Sequence, residues 1–121
     1  MKDLPKRVQK TVETQIQFAK LRRLTREIEN GKTYYEAETT VDGRSRDVLI
    51  DSGGAVVEVE QAVSLESVPA PARSALVKRA GAGKVLKVES VTGNSTVHYE
   101  AVILRNGKRA EVEVGADGNF K

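Results

Sequence analysis

The chain matches itself at a single offset of 64 residues. Asp3-Leu4-Pro5 aligns with Ser67-Val68-Pro69, Lys20 with Lys84, and Asn30 with Asn94. Tyr35-Glu36-Ala37 aligns with Tyr99-Glu100-Ala101, Gly43 with Gly107, Val48 with Val112, and Gly54 with Gly118. Chance does not hold one register, without a gap, from Pro5 to Gly118. A fixed internal period is the mark of a duplicated structural unit. The matches fall at helix starts, turns and one strand centre, where local geometry narrows the choice of residue. The expected organisation is one tandem-repeat domain over residues 1–121, with copies at about 3–60 and 67–121 joined by residues 61–66.

Each copy opens on a helical pattern. Leu4, Val8, Val12 and Ile16 recur every fourth residue, with Ala19 beyond. Val68, Ala72, Leu76 and Ala80 do the same, with Ala75 beside them. That period draws one apolar stripe along a helix. Pro5 and Pro69 suit a first helical turn, where a missing N–H costs nothing. Gly81-Ala82-Gly83 ends the second helix. The first has no such stop and is expected to run a little longer.

The remainder of each copy reads as antiparallel strands. Strands at about 21–29 and 32–41 flank Asn30-Gly31, a type I′ hairpin signal because both residues accept positive φ. Further turns follow at Asp42-Gly43 and Asp51-Ser52-Gly53-Gly54, with a fourth strand at about 55–60. The second copy turns at Gly93-Asn94-Ser95, Asn106-Gly107 and Asp117-Gly118, and its last strand is cut short at Lys121. Alternation along the strands assigns Tyr35, Ala37, Thr39 and Val41, then Arg46, Val48 and Ile50, to the face under the helix. Their counterparts are Tyr99, Ala101 and Ile103, then Ala110, Val112 and Val114. The opposite face receives Tyr34, Glu36, Glu38, Thr40, Asp47 and Leu49, and in the second copy His98, Glu100, Val102, Leu104, Glu111 and Glu113. The fold class is α+β: a duplicated unit of one helix and four antiparallel strands, the sheets joined with helices on one face and the other face open.

Composition excludes several functions. The chain has 121 residues, 39% hydrophobic and 31% charged, which is a globular balance rather than a disordered one. With no Cys there is no disulfide, thiolate nucleophile or Cys-based zinc site. No apolar run approaches the roughly 18 residues that span a bilayer. Charge is uneven: residues 1–26 hold eight basic groups against Asp3 and Glu13, while the whole chain carries only +3. A basic first helix is therefore one candidate surface for an anionic polymer or membrane.

The run Leu4-Pro5, Tyr34-Tyr35-Glu36, Gly43, Arg46-Asp47-Val48 and Asp51-Ser52-Gly53-Gly54 resembles the PepSY-like family, which is related in fold to the β-lactamase inhibitory protein. The second copy carries His98-Tyr99-Glu100, Gly107, Ala110-Glu111-Val112 and Asp117-Gly118 in the same places. The resemblance spans about residues 3–121 and rests on structural motifs. It implies a bacterial, periplasmic or secreted protein without enzymatic activity or cofactor, whose role is to bind another protein, inhibition of a peptidase or other hydrolase being one form of that role. The sequence start, Met1-Lys2-Asp3-Leu4-Pro5, has no apolar signal segment, so a cytoplasmic location stays open.

The residues themselves support no catalytic centre. His98 is the single histidine, so no multi-His metal site exists, and no Gly-x-Ser-x-Gly elbow accompanies it. It takes the place of Tyr34 in the repeat and reads as a surface strand residue. Gly81-Ala82-Gly83-Lys84 fails the Walker A spacing, with Lys78 and Val85 where Gly and Ser or Thr belong. Asp51-Ser52-Gly53-Gly54 is too short for a calcium loop and reads as a turn. The pairs Glu36/Glu38 and Glu111/Glu113 share a strand face without sign of a pocket. The binding residues expected are Tyr34, Glu36 and Leu49, with His98, Glu100, Val102 and Leu104. They form a protein-binding open sheet face, with no metal, no cofactor and no specific nucleic acid. The basic helix and self-association through a sheet edge or this same face are the alternatives.

Overall fold

A computed structural model describes residues 3–121. Among these residues the fold is α+β, with two α-helices and seven antiparallel strands. The chain divides into two compact units, Met1–Gln61 and Ala62–Lys121. The first runs α1 (Lys6–Gln15), β1 (Lys20–Glu29), β2 (Lys32–Val41), β3 (Arg44–Asp51) and most of β4 (Val56–Val63). A short 3-10 turn at Leu65–Ser67 leads into α2 (Ala70–Ala80), β5 (Lys84–Gly93), β6 (Thr96–Arg105) and β7 (Lys108–Gly115). β4 reaches Val63, so the link expected at residues 61–66 begins as strand, held by the Arg46–Gln61 pairing.

In the first unit Val8 and Val12 of α1 pack on Tyr35, Val48 and Ile50. In the second, Ala72, Leu76 and Ala80 of α2 pack on Val88, Ala101, Ile103 and Val114. The turns adopt the backbone their residues favour. Asn30, Asp42, Asn94 and Asn106 all have φ between 50° and 53°. Such left-handed values are tolerated by Asn and Asp and are typical of type I′ hairpins.

Several expectations need correction. α1 is no longer than α2: Ile16 and Ala19 close it off, and β1 already begins at Lys20. Pro5 and Pro69 stand at the N-cap rather than inside the first turn, and their carbonyls accept from the Gln9 and Arg73 N–H groups, both at 2.9 Å. Neither helix has a side-chain cap at its N-terminus. Thr39 is fully buried and donates its hydroxyl to the Arg46 carbonyl. Arg46 itself stays half-exposed, because its guanidinium reaches Gln15 Oε1 at 2.8 Å at the end of α1. Ala110 is exposed beside the Asn106-Gly107 turn, and Val41 at the end of β2 is only half-buried. Tyr99 and Val112 are partly buried against the core of their unit.

β1 and β5 each carry a bulge, between Leu21 and Arg23 and between Val85 and Lys87. Leu21 and Leu24 both pack on the first core, and Val85 and Val88 on the second. Residues three apart on a regular strand would face opposite sides. One extra residue brings them to the same side.

Candidate functional site

Each unit has a sheet face turned away from its helix. In the first unit the strand register fixes the neighbours on that face. Glu36 of β2 stands between Thr25 and Leu49, and Leu49 of β3 between Glu36 and Glu58. Tyr34 stands between Glu27 and Asp51, and Asp47 between Glu38 and Glu60. Leu49 therefore sits in a shallow 160 Å³ depression whose other walls are Glu27, Glu29, Glu36, Asp47, Glu58 and Glu60. Tyr34 and Leu49 are half-buried among these longer side chains rather than openly exposed.

Counter-charge reaches this face from β1. Arg22 Nη2 lies 3.4 Å from Asp47 Oδ1 and 3.2 Å from the Thr39 carbonyl. Arg23 Nε lies 3.7 Å from Glu38 Oε2. Exposed pairs of this length stabilise little. The Glu36 carboxyl is pushed above the ordinary carboxylate value, first by partial burial and then by the negative charge of Glu27, Asp47, Glu38 and Glu58. Both causes disfavour its charged form.

In the second unit the same positions carry other chemistry. His98, Glu100 and Glu113 occupy the places held 64 residues earlier by Tyr34, Glu36 and Leu49. Glu100 of β6 is the register partner of both Glu89 and Glu113. The His98 Nε2 atom lies 3.8 Å from Glu100 Oε2 and 3.8 Å from Glu113 Oε2. Val102 is flanked by Lys87 and Glu111, and Leu104 by Lys84 and Arg109. All four expected residues of this unit are half-buried. A 520 Å³ hollow is lined by Lys87, Glu89, Glu100, Val102, Glu111 and Glu113 of this face together with Arg79, Phe120 and Lys121.

The structure thus brings Glu36 and Leu49 together as cross-strand neighbours, with Tyr34 two residues along β2. It also brings His98 to Glu100. Sequence reading put Glu113 on the right face but did not place it beside His98. The signal was present: Arg105 pairs with Lys108 across a two-residue turn, and counting back sets Glu100 opposite Glu113. Fully exposed apolar side chains lie elsewhere, with Phe18 89% and Ile28 67% exposed. The basic cluster of residues 1–26 does not form one helix face. Lys6, Arg7 and Lys10 are on α1, Lys20, Arg22, Arg23 and Arg26 are on β1, and Lys2 lies outside the described residues.

The rejected motifs are structural. Asp51 Oδ1 accepts from the N–H groups of Gly53 and Ala55, both at 2.9 Å, which braces the hairpin. Gly81 caps α2 at φ 56°, and a Cβ on Gly83 would fall 1.9 Å from the Leu104 carbonyl oxygen. Among the described residues no helix is long and apolar enough to cross a membrane.

No protein-family profile matches the chain, and no curated protein matches it in sequence. In fold it is similar to solved structures of Bacteroides proteins. One is a candidate periplasmic protein from Bacteroides eggerthii, with TM-score 0.78 and 16% identity over 97% of this chain and 85% of that one. A second is a BLIP-like protein from Bacteroides fragilis, with TM-score 0.71 and 16% identity over 98% and 83%. A third is a DUF2874 family protein from Bacteroides ovatus, with TM-score 0.73 and 18% identity over 97% and 84%. At these identities the likeness concerns architecture, and the chain has a BLIP-like α+β fold.

Proposed function

We propose that this chain is a non-enzymatic, periplasmic protein-binding module of PepSY-like type, built by tandem duplication, and that the first unit's acidic sheet face receives a cationic segment of its partner. One observation carries this reading: six carboxylates surround Leu49, and Glu36 among them is held partly buried against its neighbours' charge. Glu36 meets like-charge repulsion from Glu27, Asp47, Glu38 and Glu58 in the free protein. A lysine or arginine side chain placed over it relieves that repulsion, while Leu49 and Tyr34 supply apolar contact. Complementary charge of this kind speeds association and selects partners more than it adds affinity. The fold likeness to the BLIP-like protein supports protein binding, with inhibition of a hydrolase as one form, and the Bacteroides eggerthii protein supports the compartment. The duplication is supported by the bulges, turn conformations and core positions that recur 64 residues apart.

The test is affinity capture from a bacterial envelope extract. Wild-type protein is run beside Leu49→Lys, Leu104→Lys and the triple variant Glu27→Gln/Glu36→Gln/Glu58→Gln, each checked for an unchanged circular dichroism spectrum. The reading expects a protein retained by wild type and lost with Leu49→Lys and with the triple variant. That protein must then bind the purified chain with an affinity that falls as salt rises. Capture indifferent to these substitutions overturns the choice of face. Leu104→Lys reports whether the second unit takes part.

Self-association is the second reading, favoured by the exposure of Phe18 and Ile28. It expects a mass in solution that rises with concentration and falls back to monomer in Phe18→Ser/Ile28→Thr.

A further inference from the structure

We infer that His98, Glu100 and Glu113 form a binding site for a divalent first-row transition-metal ion, with zinc as its representative. The three side chains come from adjacent strands of one unit. His98 and Glu100 are two residues apart on β6 and share a face, and Glu113 of β7 is the register partner of Glu100. One donor atom from each lies within 4.8 Å of the others. The two distances from His98 Nε2 are equal, at 3.8 Å.

A tetrahedral ion bonded at about 2.0–2.2 Å holds its ligand atoms about 3.4 Å apart. The imidazole pairs need to close by only about 0.4 Å to reach that spacing. The Glu113 side chain, 50% exposed, has the rotamer freedom to do so. At 3.8 Å neither carboxylate is hydrogen-bonded to Nε2. The donor set of one imidazole nitrogen and two carboxylate oxygens selects the ion. Calcium and magnesium favour oxygen alone, whereas imidazole suits zinc, nickel, copper and iron.

The surroundings favour a cation as well. Glu89 flanks Glu100 on β5, and Glu111 precedes Glu113 by two residues on the same face. Lys87 Nζ, 3.6 Å from Glu89, is the basic group of that face nearest these carboxylates by register. The first unit supplies a contrast. Its matching positions hold Tyr34, Glu36 and Leu49, which offer one carboxylate and no imidazole. The site needs no protein partner and stands apart from the reading above.

The test uses the untagged 121-residue chain, stripped with chelator and titrated with zinc by calorimetry. The expected result is one saturable equivalent, with the resonances of the chain's single imidazole shifting to an end point at the same ratio. His98→Tyr, which installs the residue found at the matching place in the first unit, and Glu113→Gln each weaken binding by about tenfold or more. Glu111→Gln, on the same face but outside the triad, leaves affinity within about twofold. Excess calcium or magnesium does not displace the zinc. The inference is overturned if no saturable equivalent appears, if His98→Tyr binds zinc as tightly as wild type, or if calcium competes on equal terms. Melting curves of the zinc-free variants confirm that the fold is intact.

Discussion

Gly54→Ala measures how tightly α1 is seated on the turn between β3 and β4. Gly54 has φ +89°, and a Cβ built there would lie 2.7 Å from the carbonyl oxygen of Arg7 and 3.0 Å from its carbonyl carbon. Those are backbone atoms of the first turn of α1, which cannot swing aside as the end of a long side chain can. Thr11 ties the same contact by donating its hydroxyl to the Gly54 carbonyl. Two costs then add. A left-handed backbone costs an alanine about 1–2 kcal/mol. Forcing a methyl group into a filled contact costs about 1–3 kcal/mol. The expected loss is about 2–5 kcal/mol, a large share of the roughly 5–15 kcal/mol that holds an ordinary domain folded. Gly43→Ala isolates the first cost, because Gly43 has φ +79° but nothing within 4 Å of the added Cβ. Its loss is about 1–2 kcal/mol. Gly118→Ala repeats the experiment in the second unit, where the added Cβ would meet the Pro71 carbonyl oxygen at 2.7 Å. Urea unfolding followed by circular dichroism gives all three values, with the slope checked for constancy. If Gly54→Ala and Gly118→Ala cost no more than Gly43→Ala, the helix–turn contact is not close-packed and the steric reasoning fails.

Other expectations are simpler to state. Glu36 has its carboxyl pushed up, so its folded form keeps a proton to higher pH than the unfolded chain does. Its contribution to stability is present below the ordinary carboxylate value and is lost as pH rises through the folded value. Glu36→Gln should therefore melt higher than wild type near pH 7, with the gap shrinking toward about pH 4. A gap that persists in acid would refute the electrostatic cause. Leu76, fully buried in the second core, should cost about 2–5 kcal/mol as Leu76→Ala in the same urea assay. Thr39→Val removes the donor to the Arg46 carbonyl and should cost about 1 kcal/mol; no loss would mean that water replaces the hydroxyl.

The parts of the fold legible in the sequence are those where one residue type answers one local demand. Asn30-Gly31 and Asp42-Gly43 announce their turns because few other residues accept positive φ. The four-residue spacing of Ala72, Leu76 and Ala80 announces a buried helix stripe, and all three are buried. The bulges were hidden because they break the alternation on which strand reading depends. Leu21 with Leu24 and Val85 with Val88 are nonetheless a usable sign, since each pair is apolar at a spacing only an extra residue reconciles. The candidate site was half legible. Tyr34, Glu36 and Leu49 fell on one face by alternation alone. The meeting of His98 with Glu113 required register across a hairpin, a longer-range quantity than any strand pattern. The degree of burial was not legible either: Tyr34, Leu49, Val102 and Leu104 look exposed as single positions, and cross-strand neighbours cover part of each.

The last hairpin of each unit shows what the two units have in common and where they differ. The backbone bonds recur at the same offset: Asp51 N–H to the Ala55 carbonyl and Gly115 N–H to the Asn119 carbonyl, both 2.9 Å. Gly54 N–H reaches the Asp51 carbonyl at 3.0 Å, and Gly118 N–H reaches the Gly115 carbonyl at 2.9 Å. The side chain that braces the turn differs. In the first unit Asp51 accepts from Gly53 and Ala55. In the second that position is Gly115, and Asp117 instead accepts from the backbone N–H and side-chain amide of Asn119, both at 3.0 Å. The Asn119 backbone N–H is the main reason the Asp117 carboxyl is held below the ordinary carboxylate value. A side chain at Gly115 would run into it, since a Cβ there falls 2.7 Å from Asp117 Oδ1. Each unit carries one of the two braces. The sheet faces obey the same rule. Where backbone meets backbone, as at Gly54 and Gly118, the residue is kept. Where a side chain faces outward, Tyr34, Glu36 and Leu49 of one unit stand where His98, Glu100 and Glu113 stand in the other, an apolar and acidic surface against the three donors of the proposed metal site.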